Sequence, residues 1–139
     1  MFAAAAPPLV KRPSKPVLIV EDHEDTREMV ELFLRREGYA IRTAAHGRDA
    51  LVSVATQAPC LILLDVSMPV MDGPTFARRL RQSSDLELAA TPIVLMTALE
   101  DVTEAVRETQ ARSVVPKPVS FDHLLGEIAR HCQDDDTAG

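Results

Sequence analysis

Three short segments of this chain are apolar almost throughout and stop abruptly at a polar group. Residues 16–20 run into Glu21 and Asp22, residues 60–64 into Asp65, and residues 92–96 into Thr97. A strand with one wet face alternates apolar and polar residues. An unbroken run therefore argues for burial on both faces, as in a parallel sheet covered by helices on either side. Two weaker segments, residues 39–44 and 113–115, suit flanking positions. Pro116 fits an edge, where a ladder donor can be spared.

Between these runs the apolar spacing changes to that of helices. Thr26, Met29, Val30, Phe33 and Leu34 fall on one face, with Glu28, Glu31, Arg35 and Arg36 opposite and Gly38 as the stop. Ala50, Leu51, Val54 and Ala55 make a second stripe. A third helix opens at Pro74 and buries Phe76, Ala77 and Leu80. A weaker fourth surrounds Val102, Ala105 and Val106, and a fifth carries Phe121, Leu124, Leu125, Ile128 and Cys132 behind Ser120 as N-cap. Strand then helix, five times over, predicts an α/β fold of the flavodoxin-like (βα)5 kind. Its doubly wound, five-stranded parallel sheet would have the order 2-1-3-4-5, with helices on both faces. In that order the first and third strands flank the switch point, the usual ligand crevice, so Glu21, Asp22 and Asp65 should converge there.

The 139 residues suit one domain, here residues 16–131, between an Ala- and Pro-rich flexible tail (1–15) and an acidic tail (132–139). A net charge of -6 argues against a nucleic-acid-binding surface, and nowhere do about 18 apolar residues follow one another, so a soluble cytoplasmic chain is expected. With 4% aromatic residues and no Trp, the core must be aliphatic. Cys60 and Cys132 lack metal-ligand spacing and indicate no disulfide framework, so both are expected to serve as small buried hydrophobes. The four histidines show no convincing ligand spacing either.

Three carboxylates in one crevice repel one another unless a cation neutralises them. Mg²⁺, with Mn²⁺ as a possible substitute, is commonly held by one or two carboxylates together with phosphate oxygens. Asp65 could then attack phosphorus and form an acyl phosphate. Phosphoryl transfer also needs donors around the equatorial oxygens, and Thr97 and Lys117 should reach the same sheet edge. Either residue alone reads as structural or solvated. Their meeting with three acids is what points to chemistry.

The chain resembles the receiver domain of two-component response regulators. The likeness rests on Val20-Glu21-Asp22, on the run from Leu64 through Asp65, Val66, Ser67, Met68 and Pro69 to Asp72-Gly73, on Met96-Thr97-Ala98 and on Pro116-Lys117-Pro118. The resemblance implies that Asp65 is the phosphoacceptor, taking its group from a histidine kinase or a histidine phosphotransfer protein. It implies that Asp22, Asp65 and the Ser67 carbonyl hold Mg²⁺, with Glu21 acting through a metal-bound water. Thr97 and Lys117 would contact the phosphoryl oxygens, and Lys117-Pro118 would be a cis peptide. The expected protein is a non-enzymatic, stand-alone receiver that acts on a downstream protein effector, as a monomer or a phosphorylation-dependent dimer.

The chain departs from the family pattern at three places, the second and third of them near the face that family uses to contact partners. Val114 stands where an aromatic switch residue is usual, Gln110 where a small glycine is common, and Val119 where an aromatic often follows Lys-Pro. An apolar Leu99, two residues after Thr97, implies poorly positioned water and slow hydrolysis of the acyl phosphate. One rival reading is a receiver-like binding module that docks without phosphorylation, which the loss of an aromatic at Val114 supports. Another is a phosphatase resembling the haloacid dehalogenase superfamily, but that chemistry wants an acid two residues after the nucleophile, where this chain has Ser67.

Overall fold

The computed structural model describes residues 13–66, 72–98 and 100–132. Among them run β1 (Val17–Val20), α1 (Glu24–Arg36), β2 (Ile41–Ala44), α2 (Gly47–Thr56), β3 (Leu61–Asp65) and α3 (Gly73–Arg81). There follow α4 (Leu86–Ala89), β4 (Ile93–Thr97), α5 (Thr103–Thr109), β5 (Ser113–Pro116) and α6 (Phe121–His131). The strands form one parallel sheet in the order β2-β1-β3-β4-β5, as the alternation predicts. Val20 is level with both Ala44 and Leu64, Asp65 with Met96, and Thr97 with Pro116. The polar residues that follow the apolar runs thus arrive together at one edge of the sheet.

Side chains alternate between the two faces, and each face has its own core. Val17, Ile19, Leu61, Leu63, Val94 and Met96 pack beneath α1 and α6, which contribute Val30, Leu34, Leu124 and Ile128. Leu18, Val20, Ile62, Leu64, Ile93 and Leu95 pack beneath α2, α3 and α5, which contribute Ala50, Val54, Phe76, Ala77, Leu80 and Ala105. Phe33 of α1 and Phe121 of α6 stack with ring centroids 4.5 Å apart, joining the two helices on the first face.

The helix ends follow sequence chemistry. Ser120 caps α6 as expected, its hydroxyl accepting from the His123 N–H. Gly38 closes α1 at φ 94°, a left-handed conformation that glycine adopts without steric cost. Gln110 ends α5 at φ 56° and is the one described non-glycine residue with positive φ. Where a glycine would sit freely, a side chain is held in a region that costs L-residues about 1–2 kcal/mol.

The structure departs from the sequence expectations at both cysteines, at Lys15, at α4 and at Met29. Cys60 and Cys132 are buried as foreseen, but they form a disulfide, with Cα atoms 5.0 Å apart across 72 residues of sequence. The reason is topological: Cys60 precedes β3 and Cys132 caps α6, and both project into the same face of the core. Cys132 consequently belongs to the packed domain rather than to the acidic tail. Lys15, assigned to the N-terminal tail, pairs with Glu87 of α4. The helix α4 itself is an unforeseen element. It has no apolar stripe, and its Leu86 is 82% exposed. Arg81 secures this region by donating to the carbonyls of Ala89, Thr91 and Thr109, at 2.8, 2.7 and 3.4 Å. Met29, placed on the inner stripe of α1, is instead 46% exposed.

Candidate functional site

The site is built on the ends of β1, β3, β4 and β5. Glu21 follows β1, and its N–H donates to the Ala44 carbonyl at 3.0 Å, continuing the ladder by one residue. Asp65 and Thr97 are the last residues of β3 and β4. Lys117 follows β5, and its N–H donates to the Thr97 carbonyl at 2.8 Å, so the ladder itself fixes this loop beside β4. The Lys117-Pro118 peptide is cis, as the resemblance implies.

Oxygen atoms of Glu21, Asp22 and Asp65 lie within 4.8 Å of one another, a spacing at which three carboxylates could share one cation. Glu21 is fully buried and Asp65 nearly so, while Asp22 is exposed at the mouth. Burying carboxylates demands compensation. Lys117 supplies it, with Nζ 2.5 Å from Glu21 Oε1 and 3.8 Å from Asp65 Oδ2. The second Glu21 oxygen accepts from the His23 N–H at 3.2 Å, and Arg27 donates to the Glu21 carbonyl at 3.0 Å.

The structure therefore brings together Glu21, Asp22, Asp65, Thr97 and Lys117. The Ser67 carbonyl, the Met68-Pro69 pair and Leu99 lie outside the described residues. Arg27 was not foreseen as part of the site, because nothing in its spacing distinguishes it from the other charges on the outer face of α1. His23 does more than flank the acids: its Nδ1 accepts from the Thr26 N–H at 3.3 Å and caps α1.

Asp72 and Gly73 shape the loop beyond Asp65. A Cβ on Gly73 would stand 2.9 Å from the Asp65 carbonyl oxygen and 3.1 Å from Val66 Cα, so any side chain would push against the backbone that carries Asp65. Asp72 caps α3 by accepting from the Thr75 N–H at 2.8 Å. The Thr75 hydroxyl and N–H hold its carboxyl below the ordinary value of 3.8. A carboxyl whose pKa is depressed on folding contributes stability above its unfolded pKa, and that stability is lost as pH falls through the folded value. Asp72→Ala is accordingly expected to lower stability by about 1 kcal/mol near neutral pH. Its deficit relative to the parent should shrink at about pH 3, as thermal melting at the two pH values would show. A deficit independent of pH would contradict this role.

Residues 17–129 match the response regulator receiver domain family. The chain belongs to that family. It is 34% identical over 128 residues to the response regulator MprA of Mycolicibacterium vanbaalenii, covering 88% of this chain and 54% of the relative. It is 40% identical over 105 residues to the transcriptional regulatory protein AfsQ1 of Streptomyces coelicolor, covering 74% and 44%. The chain thus spans about half the length of the curated relatives it matches. Among solved structures it is similar to a putative response regulator from Chloroflexus aurantiacus, with TM-score 0.78 and 32% identity over 87% of this chain and 98% of that one. It is likewise similar to the Vibrio cholerae chemotaxis protein CheY4, with TM-score 0.77 and 32% identity over 84% and 98%.

Proposed function

We propose that this receiver accepts a phosphoryl group on Asp65 from a histidine kinase or a histidine phosphotransfer protein, and signals through phosphorylation-dependent protein contact in the cytoplasm. The observation that carries this reading is the meeting of Glu21, Asp22 and Asp65 with Lys117 at the carboxyl edge of the sheet. Asp22 and Asp65, with the Ser67 carbonyl, would hold Mg²⁺, and Glu21 would act through a water on it. The bound metal would neutralise charge on the incoming phosphate donor.

The chain's own residues do the rest. Asp65 provides the nucleophilic oxygen. Lys117, already within 3.8 Å of that carboxylate, offers its ammonium to the phosphoryl oxygens. Thr97, buried at the end of β4, offers a hydroxyl from the neighbouring strand. Uptake from small phosphodonors and slow self-dephosphorylation belong to the same reading, as does action on a protein effector as a monomer or a phosphorylation-dependent dimer.

Intact-mass measurement after incubation with acetyl phosphate and Mg²⁺ tests the acceptor. One phosphoryl group is expected on the parent protein and none on Asp65→Asn, with uptake abolished by chelator. No addition, or equal addition to both proteins, would overturn the reading in favour of a module that docks without phosphorylation.

A further inference from the structure

At the end of the sheet opposite Asp65, the Cys60–Cys132 disulfide ties the foot of β3 to the last turn of α6. A cleft of about 240 Å³ opens beside it, with Lys15, Glu87, Cys60, Pro92 and His131 among its lining residues, but not Cys132. Both cysteines are buried in the same core, and of the two only Cys60 borders the cleft. The His131 imidazole stands in the same cleft. Its Nε2 is buried without a hydrogen bond among the described residues and lies 3.5 Å from Glu127 Oε2.

We propose that Cys60–Cys132 is a reversible thiol–disulfide site that takes a low-molecular-weight thiol through this cleft and thereby sets how firmly α6 is held. The thiolate attacks Cys60 Sγ, forming a mixed disulfide as the Cys60–Cys132 bond breaks. The bonding electron pair leaves on Cys132 Sγ, which takes a proton from solvent. A second thiolate attacks the outer sulfur of the mixed disulfide and releases Cys60 as a thiolate, which is then protonated. In sum, the protein disulfide and two thiols become two cysteine thiols and one small disulfide, a two-electron exchange.

Cys132 is the C-cap of α6, and a thiolate there faces the carbonyl end of the helix, which makes it a poor leaving group and keeps the exchange slow. The two Cα atoms stand 5.0 Å apart, so Cys132 is placed to attack the mixed disulfide and reclose the bond unless thiol is in excess. Once the disulfide is open, the last turn of α6 loses its covalent tie and is held by burial of Leu124 and Ile128, by the contacts of Glu127 with Arg130 and His131, and by its own backbone hydrogen bonds. The foot of β3, paired on both sides by β1 and β4, keeps its ladder.

The test uses the full, folded chain without denaturant, treated with reduced glutathione and quenched with iodoacetamide, and it is independent of the phosphoacceptor reading. Peptide masses are expected to place glutathione on Cys60 and the alkyl group on Cys132 at early times. Transfer to oxidised glutathione should restore the disulfide. Amide exchange at residues 129–132 should quicken on the order of tenfold in the reduced protein while exchange in β3 and β4 is unchanged. Resistance to glutathione until denaturant is added, an adduct on Cys132, failure to reclose, or exchange that does not change at residues 129–132 would each overturn the proposal.

Discussion

Lys117→Ala is expected to lose phosphoryl uptake from acetyl phosphate by on the order of 10²-fold and to be destabilised at the same time. The two losses have different origins. Uptake falls because a cation aimed at the developing charge is gone. Stability falls because the fully buried Glu21 side chain loses the ammonium 2.5 Å away. Removing one partner of a buried pair costs about 3–5 kcal/mol, and the low end applies because the lysine side chain is 22% exposed. The double variant Glu21→Gln/Lys117→Met separates the two effects. It removes both charges, so it should recover most of the stability without recovering uptake. Urea unfolding and a mass time course report the two quantities, and uptake by Lys117→Ala at the parent rate would defeat the role given to the lysine.

Phe76→Ala is expected to destabilise the domain by about 3–5 kcal/mol while leaving the carboxylate cluster in place. Phe76 is among the largest wholly buried side chains and fills the space between α3 and the sheet. Leu64 and Leu95 of the same cluster are held by strand pairing and Leu80 by the same helix, which limits collapse into the gap. The urea midpoint should drop with little change in slope, the mark of altered stability rather than altered compactness. A shift below about 1 kcal/mol would mean that α3 repacks and that Phe76 does not fill a fixed space.

The fold was legible because its strands are buried on both sides. Unbroken Leu, Ile and Val runs leave few alternatives, and the predicted boundaries of β1, β3 and β4 fall within a residue of those observed. The carboxylate crevice followed, since topology alone carries Glu21, Asp22 and Asp65 to the same edge. What escaped depends on distances that sequence does not contain. The four residues of α4 present no apolar period, because the tether from Arg81 comes from another helix. The partnership of Cys60 with Cys132 spans 72 residues and exists only once α6 lies across the foot of β3. The pairing of Lys117 with the buried Glu21, closer than with Asp65, likewise has no signature in the sequence.

The disulfide also bears on how a change at Asp65 could travel. β3 is hydrogen-bonded on both sides and covalently fastened at its lower end, so it has no freedom to slide lengthwise. A displacement that begins at its upper end is thereby directed sideways, across β4 toward α5 and the edge strand. There Val114 offers no ring to turn inward, and Gln110 holds the joint between α5 and β5 in a backbone conformation its side chain disfavours. Among the described residues the strained joint is the one between α5 and β5, and the fastened element is the strand that carries the acid.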